Sequence, residues 1–369
     1  RILILGGTGF IGPALVEVAL SHGHQVSVFN RGITEKRKGA LPDNVERLVG
    51  DRDPDKGDGI KALQGKSWDV CIDDTGYFPR MVKASAELLA PNIKQYVFVS
   101  SISAYGKNEL EGADETAELA KLEDPTVETM GAQYENYGGL KVLCEQAAEI
   151  AMPGKTTIVR PGFIVGPGDG TDRFTYWPVR VSKGGEVLCP GAPEDPIQII
   201  DVRDLAAFLL RVAERNTIST FNACGPAKKM GWGEMLTASK AACPSDSPGR
   251  DATLTWVPTE FLIAHPEQID LPLWVPYQGD SKGFHTWSNA RAVKAGLTFR
   301  PIEVTCRDTL EWWPKELERR VRVTNEMQGE AKEKGETPPQ MADPMKIRTG
   351  IAPELEAQIL KDWHAKQAS

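Results

Sequence analysis

The sequence of 369 residues lacks the patterns that mark metal centres, disulfide frameworks and membrane spans. Its six cysteines are scattered and form no C-x-x-C pair, which is typical of reduced, buried thiols. Its five histidines do not group with cysteines or carboxylates at metal-ligand spacing, and His22 and His24 are interpreted as part of a solvated turn around Gly23. No apolar run reaches the roughly 18 residues of a membrane helix. We therefore expect no metal site and no transmembrane segment.

An excess of positive charge is also missing. With 43 basic and 51 acidic side chains, the formal net charge is -8, which disfavours nonspecific binding to nucleic acid or anionic membranes. Hydrophobic (41%) and charged (25%) residues are present in the proportions of an ordinary globular protein. We expect a small-molecule substrate, no nucleic-acid or membrane partner, and a length sufficient for two domains or one domain with a lobe.

A glycine-rich turn follows the first apolar run. Residues 1–5 read Arg-Ile-Leu-Ile-Leu and are followed by Gly6-Gly7-Thr8-Gly9-Phe10-Ile11-Gly12 and then by a helical pattern. The order strand, glycine turn, helix is the context that a dinucleotide fingerprint requires. Gly6 would permit the tight turn, Gly9 would let backbone N–H groups approach a diphosphate, and Gly12 would let the helix pack closely on the strand. The helix N-terminus would offer unpaired donors to the phosphates.

Strand and helix patterns alternate over the first 160 residues. Further strands are predicted at 26–30, 45–49, 68–73, 96–100 and 156–160, with helices at 80–89 and 134–151. This alternation predicts an α/β fold with a doubly wound parallel (Rossmann) sheet. Ligands bind at the carboxyl ends of such strands, so the glycine turn, Asp73 to Gly76 and Ser100-Ser101 should converge on one crevice.

The pattern loosens after residue 160. We predict a dinucleotide-binding domain at 1–160, to which the chain returns around 201–225, and a smaller C-terminal substrate-binding lobe at 161–320. Helices are expected at 201–215 and at 305–319, the latter kinked or divided by Pro314. Residues 321–369 are expected to form a polar extension, with a linker at 329–344 and a last helix at 353–364.

Tyr137 and Lys141 lie four residues apart and would share one face of a helix. An ammonium beside a phenol favours the phenolate and so lowers the phenol pKa. Such a phenol can transfer a proton to or from a carbonyl or alcohol oxygen. On its own the spacing is common, and it gains weight only from the glycine turn and the serine-bearing strand end.

Together these motifs resemble the extended short-chain dehydrogenase/reductase superfamily, and most closely its NAD-dependent epimerase/dehydratase members. The resemblance covers roughly residues 1 to 315, with matching segments at 6–12, 51, 99–106, 137–141, 160–162, 166–168 and 201–205. It implies that Tyr137 is the catalytic acid/base, that Lys141 lowers the Tyr137 pKa and bonds the nicotinamide ribose, and that Ser101 polarises the substrate oxygen. The alternative for Ser101 is a capping serine in a turn, which is the interpretation preferred for Ser103.

The choice of cofactor is argued from charge. An NAD site usually carries Asp or Glu at the end of the second strand, where this chain has Asn30 followed by Arg31. Asn30 would not repel a 2′-phosphate and Arg31 can pair with one, while a basic run at 36–38 is either part of the site or a solvated loop. The sequence favours NADP and leaves NAD open. The expected cofactor contacts are Gly6, Thr8, Gly9, Phe10, Ile11, Gly12, Asn30, Arg31, Asp51, Arg52, Thr75, Gly76, Ser100, Tyr137, Lys141, Pro161 and Gly162.

Two departures from the family pattern concern the substrate. Gly162 stands where nucleotide-sugar enzymes of the superfamily usually have Asn, and residues 195–199 contain no Arg to bind a diphosphate. A nucleoside diphosphate-sugar is therefore disfavoured, although a sugar or glycoside stays among the candidates. Candidate substrate residues are Tyr77, Ser103, Arg173, Tyr176, Trp177 and Arg203. For the two adjacent aromatics, a place in the core or a lid is the stronger alternative.

Three functions remain open at this point. The first is an NADP(H)-dependent oxidoreductase acting on a carbonyl or secondary alcohol, and the second is an epimerase or dehydratase that retains its cofactor. The third is a regulatory NAD(P)-binding protein without catalysis, which the intact Ser101, Tyr137 and Lys141 disfavour. The resemblance also implies a homodimer formed by the helices at 80–89 and 134–151. A cytoplasmic location is expected, or a periplasmic one if a twin-arginine leader preceded Arg1.

Overall fold

The first strand, β1 (Ile2–Leu5), explains why the sequence begins with an unbroken apolar run. All four side chains are buried, with Ile2 and Ile4 in one hydrophobic core and Leu3 and Leu5 in the other. Side chains alternate between the two faces of a strand, so a strand covered on both faces needs apolar residues throughout. β1 therefore lies in the middle of a sheet that is packed on both sides.

That sheet has seven strands within the part of the chain that the structure describes, and its strand pairs are parallel. Besides β1 it contains β2 (Val26–Asn30), β3 (Glu46–Val49), β4 (Val70–Asp73), β5 (Gln95–Val99), β6 (Thr156–Pro161) and β10 (Thr220–Ala223). The spatial order is β10-β6-β5-β4-β1-β2-β3. The reversal of order beside β1 brings the carboxyl ends of β1, β4 and β5 to one edge, where ligands bind in such sheets. The predicted doubly wound α/β fold is confirmed.

Helices cover both faces of the sheet. α1 (Ile11–Ser21) and α6 (Val202–Glu214) pack on one face, and α3 (Pro79–Leu89) and α4 (Tyr137–Ala151) pack on the other. Each presents an apolar stripe to the sheet, as in α6, where Leu205, Phe208, Leu209 and Val212 are buried. The shorter elements are α2 (Thr34–Lys38), β7 (Phe163–Val165), β9 (Ile199–Asp201) and α9 (Ala290–Lys294).

The computed structural model describes residues 1–338 and 340–368, and the side chain of Lys38 lies outside the description. The chain forms two compact units. The first comprises residues 1–164, 198–227 and 286–299, and the second comprises 165–197, 228–285 and the residues from 300 onward. The chain thus enters the first unit three times, and residues 286–299 lie there rather than in the lobe where the sequence placed them. No helix among the described residues is long and apolar enough to cross a bilayer.

The second unit pairs two parallel strands, β8 (Glu186–Pro190) and β11 (Thr253–Val257). Its helices are α5 (Tyr176–Ser182), α7 (Trp232–Ala242), α8 (Thr259–Ala264), α10 (Ile302–Glu333) and α11 (Pro353–Ala368). Buried ion pairs join its C-terminal part to its N-terminal part: Arg320 in α10 bonds Asp172, and Glu356 in α11 bonds Arg180. Residues 321–369 are therefore not a separate extension.

Pro314 was predicted to kink or divide its helix, and it does not divide it. α10 runs through Pro314 and ends at Glu333, although proline lacks the N–H that would close one helical hydrogen bond. Buried residues before and after it, among them Trp313 and Arg320, hold the two halves in one packed helix. The predicted linker at 329–344 is thus helical in its first part, and Pro339 within it lies outside the described residues.

Candidate active site

The glycine turn has the backbone conformation that only glycine adopts easily. Gly6 and Gly7 have φ values of +115° and +78°, in the left-handed region. A Cβ on Gly12, in the first turn of α1, would lie 2.2 Å from the backbone carbon of Gly7, so the helix can approach the turn only without a side chain. A Cβ on Gly9 would meet nothing within 4 Å, which leaves open space beside the turn. This cradle at the start of α1 fits the diphosphate of a dinucleotide.

Asp74 follows β4 and lies against the glycine turn, and no role of its own was predicted for it from the sequence. Its Oδ1 lies 1.7 Å from where a Cβ on Gly6 would be, and among the described residues this oxygen has no hydrogen-bond partner. Burial, together with the charge of Asp73, raises the pKa of Asp74 to about 7. Near neutral pH the carboxyl group of Asp74 is therefore uncharged in a large fraction of the molecules. In that form it can lie beside a phosphate site with little electrostatic repulsion.

Dinucleotide affinity should fall as the pH rises through about 7, because ionisation of Asp74 places a negative charge beside the turn. The charges that face Asp74 are those of Asp73, Arg52 and Lys141. We expect the dissociation constant for NADH, followed by fluorescence, to rise several-fold across this range. The isosteric Asp74→Asn variant should show no such rise. An unchanged pH dependence in that variant would contradict the assignment.

Arg52 and Asp73 form a buried pair beneath the strand ends. The Arg52 guanidinium donates to both carboxylate oxygens of Asp73, at 2.6 and 2.9 Å, and also to Thr75 and Ser85. Tyr96 donates to the same Asp73 carboxylate at 2.6 Å. These contacts keep the pKa of Asp73 low although burial opposes it. Arg52 therefore fixes the strand ends, and its contact with a cofactor stays a prediction.

Lys141 is almost completely buried, with 3% of its surface exposed. Its Nζ donates to the carbonyl oxygens of Gly76 at 2.8 Å and Val99 at 2.7 Å, and it lies 4.4 Å from the ring centre of Phe98. Burial lowers the pKa of Lys141 to about 8, so the side chain is a cation at neutral pH and loses its charge in mildly alkaline solution. The side chain joins α4 to the ends of β4 and β5.

Tyr137 is the first residue of α4, and the next residue, Gly138, lies against the serine turn that follows β5. The contact is made by the backbone at Gly138, where a Cβ would lie 2.1 Å from the carbonyl oxygen of Ser103. Within that turn, the Ser101 hydroxyl accepts a hydrogen bond from the N–H of Ser103 at 3.1 Å. Ser101 thus has the capping role that was its alternative interpretation, and it remains half-buried at the strand end beside the start of α4. Its catalytic role stays a prediction.

A buried network lies behind these residues, and sequence reasoning missed it. Glu145 accepts hydrogen bonds from Arg160 Nε at 2.9 Å, Arg160 Nη2 at 2.6 Å and Ser100 Oγ at 2.5 Å. Arg160 also donates to the hydroxyl of Tyr105, which donates to Asn222. Glu145 follows Lys141 by one helical turn, so the helical spacing of 137, 141 and 145 was the available signal. Ser100 is therefore a partner of Glu145, and its contact with a cofactor stays a prediction.

The residues expected to bind the adenosine half of the cofactor differ in exposure and in hydrogen-bond partners. Asn30 clamps the turn, because it donates to the Gly6 carbonyl at 3.0 Å and accepts from the Gly32 N–H at 2.8 Å. Arg31 is exposed and makes no hydrogen bond or ion pair with any described residue. Asp51 accepts from the N–H of Asp53 at 2.9 Å. Arg31 therefore has the free charge that a 2′-phosphate would need.

Three candidate substrate residues lie in the first unit. Tyr77 is 45% exposed, but its hydroxyl end is desolvated and lies near Tyr137 and Asp74, which together raise the Tyr77 pKa to about 12. Ser103 is exposed in the serine turn. Arg203 pairs with Asp201 at 2.7 Å, so most of its charge is balanced locally. Tyr77 is thus a candidate that feels the charge of the proposed acid/base, Tyr137.

The other three candidates lie in the second unit, and two of them require correction. Trp177 has no exposed surface, and its indole N–H donates to the carbonyl of Pro272 at 2.8 Å. Tyr176 is 6% exposed and packs edge-to-face on Trp177. Both are core residues, which agrees with the stronger of the two alternatives and not with their listing as substrate residues. Arg173 is half-buried and donates to Thr171.

Comparison with known proteins identifies sequence and fold relatives. The profile of the NAD dependent epimerase/dehydratase family matches residues 2–224. A chloroplast stem-loop binding protein of 41 kDa (b) from Arabidopsis thaliana is 28% identical over 240 residues, which cover 61% of this chain and 58% of that protein. This chain thus spans little more than half the length of the plant protein.

Two solved structures share the fold at low sequence identity. The UDP-glucuronic acid 4-epimerase from Bacillus cereus, in complex with NAD, has a TM-score of 0.58 at 15% identity and covers 84% of this chain and 96% of its own. The human epimerase family protein SDR39U1 (isoform 2), with NADPH, has a TM-score of 0.54 at 19% identity and covers 84% and 99%. Both likenesses are likenesses of fold, and they cover more of this chain than the matched family profile does.

Proposed function

The chain belongs to the NAD dependent epimerase/dehydratase family, and from this premise we propose that it is an NADP(H)-dependent oxidoreductase acting on a carbonyl or secondary alcohol. The observation that supports the proposal is the start of α4, where Tyr137 is the first helical residue, Gly138 lies against the serine turn and Lys141 is buried one turn further on. A phenol, a hydroxyl and a buried cation at the carboxyl edge of a Rossmann sheet form a set suited to proton transfer at an oxygen atom.

Each side chain has a separate task in this proposal. Bound at the glycine turn, the nicotinamide dinucleotide would supply or accept the hydride. Ser101 would donate a hydrogen bond to the substrate oxygen, and the phenol oxygen of Tyr137 would give that oxygen a proton in reduction or take one in oxidation. The Lys141 cation favours the phenolate form of Tyr137, and so brings proton transfer into the neutral range.

Arg31 supports NADP as the cofactor, because its guanidinium is exposed just after β2 and has no partner among the described residues. Arg31→Ala should weaken NADPH binding by roughly 10- to 100-fold, the value of a lost hydrogen bond to a charged group, and leave NADH binding nearly unchanged. Arg215→Ala is the matched control, since Arg215 is also an exposed arginine and directly follows the C-terminal end of α6. Equal losses for NADPH and NADH would contradict a 2′-phosphate contact. Asn30 is unsuitable for this test because it holds the turn.

The second candidate function is epimerisation or dehydration with a retained cofactor, which the family assignment favours. Cofactor turnover separates the two. Incubation with NADPH and a panel of ketones and aldehydes should consume the reduced cofactor stoichiometrically if the chain is a reductase. Dinucleotide that copurifies, resists exchange and is released only on denaturation would favour the alternative. A chain that binds dinucleotide and converts no substrate would support the non-catalytic interpretation.

The stem-loop binding recorded in the name of the plant relative is not carried over to this chain. A net charge of -8 gives no general electrostatic attraction for phosphate backbones. We propose a small-molecule substrate. The homodimer implied by the family resemblance also stays a proposal; on α4, Ile150 is 78% exposed and is available to such an interface.

A further inference from the structure

Two histidines and one carboxylate meet on the surface of the first unit, away from the proposed active site. His22 Nδ1 and His24 Nε2 each lie 2.9 Å from the same oxygen, Oε1 of Glu214. The three ligand atoms all lie within 4.8 Å of one another. The histidines follow the last turn of α1, and Glu214 is the last residue of α6. The sequence interpretation of a solvated turn did not anticipate the carboxylate, because it comes 190 residues later.

The arrangement has the chemistry of a divalent-cation site. The nearest ring nitrogens of both histidines point at one oxygen of Glu214, each at 2.9 Å, so two nitrogens and one oxygen converge. A cation bound by the two nitrogens and the carboxylate would use all three as ligands. For Zn²⁺ bonds of about 2.0–2.1 Å, tetrahedral ligands lie about 3.3 Å apart, so small side-chain rotations suffice.

The charge state and exposure of these groups also suit a metal. The side chains of His22, His24 and Glu214 are 50%, 28% and 33% exposed, which leaves room for water at a fourth position. Glu214 supplies the acidic group of the cluster, and a carboxylate oxygen is an established type of zinc ligand. The described cysteines, by contrast, are all buried and offer no competing surface site.

We propose that His22, His24 and Glu214 bind a first-row divalent cation, with Zn²⁺ as the expected ion, and that the cation joins the C-terminal ends of α1 and α6. Imidazole and carboxylate ligands suit zinc, and three protein ligands leave one coordination position for solvent. α1 and α6 pack on the same face of the sheet, and the opposite end of α1 begins at the glycine turn. The metal would therefore stabilise the helix that carries the proposed phosphate site, without contacting that site.

The test is zinc binding by the tag-free full chain after removal of metals with a chelator. Isothermal titration with ZnCl₂ should show one site, and binding should raise the melting temperature as zinc increases. His22→Ala, His24→Ala and Glu214→Gln should each weaken zinc binding by more than about tenfold, since loss of a direct ligand exceeds loss of a supporting contact. Circular dichroism without metal checks that each variant is folded.

His364→Ala is the matched control. His364 Nε2 lies 2.7 Å from Glu186, and the two side chains are 51% and 37% exposed, so this is a similar surface pair with a single histidine. It should bind zinc as the wild type does. Absence of binding in the wild type, or equal binding by the wild type and all three cluster variants, would overturn the proposal. Co²⁺ substitution adds a second readout: visible bands without thiolate charge transfer fit nitrogen and oxygen ligands, whereas thiolate bands would overturn it.

Discussion

Tyr137→Phe should lower turnover by about 10²- to 10⁴-fold and leave dinucleotide binding nearly intact, because it removes the proton donor without changing the ring. The Gly138 contact that places the start of α4 against the serine turn is made by backbone atoms, so the variant should keep this geometry. Steady-state turnover with the substrate found in the carbonyl panel, together with fluorescence titration of NADPH, measures the two effects separately.

Tyr134→Phe is the matched control for this loss. Tyr134 precedes α4 by three residues and its side chain is 71% exposed, so removal of its hydroxyl should change turnover little. The pH dependence gives a further check: since burial lowers the Lys141 pKa to about 8, turnover of the wild type should decline above that pH as the cation is lost. A Tyr137→Phe enzyme with normal turnover would show that another group transfers the proton.

Glu145→Gln should destabilise the protein by about 3–5 kcal/mol, the cost of leaving one member of a buried ion pair without its partner. Glu145 and Arg160 are 3% and 4% exposed and share two hydrogen bonds, so water cannot replace the lost charge. The neutral amide would also offer an N–H group where Arg160 and Ser100 both donate. The free energy of unfolding, measured in urea, reports this loss.

Glu149→Gln provides the comparison within the same helix. Glu149 lies one turn beyond Glu145 and is exposed, so its substitution should change the free energy of unfolding by less than about 0.5 kcal/mol. The double variant Glu145→Leu, Arg160→Met should recover part of the stability, because it removes both buried charges together. Equal effects of Glu145→Gln and Glu149→Gln would contradict the role assigned to the network.

The fold was predictable from the sequence because its strands, helices and glycine turn depend on residues that lie close together in the chain. The apolar run of β1 and the glycines of the turn each have one strong physical interpretation. The structure confirms the fold, and the positive φ of Gly6 agrees with the tight turn expected there. The Tyr137/Lys141 spacing likewise depends only on helical geometry. Predicted strand and helix ends differ from the observed ones mostly by one or two residues, with α4 beginning three residues late because Tyr134 has a positive φ.

Contacts between distant residues were not predictable in the same way. A charged residue in a helix is usually solvated, so nothing in the sequence near Glu145 indicates a buried partner at Arg160 on another strand. An arginine that follows a strand of such a sheet can contact a cofactor, but the side chain of Arg52 forms an ion pair with the buried carboxylate of Asp73. Aromatic pairs suit both substrate stacking and cores, and only the burial of Trp177 decides between them. Each case depends on a partner that sequence spacing does not reveal.

The contact between Gly138 and the Ser103 carbonyl sets a limit on how the proposed active site could diversify. Because two backbones touch there, the distance between the helix start and the serine turn is fixed by atomic radii and cannot be tuned by exchanging side chains. Selection for a new substrate would have to act on other positions, such as Tyr77, while the reacting geometry is inherited unchanged. Laboratory evolution of this chain should accordingly leave Gly138 out of its libraries.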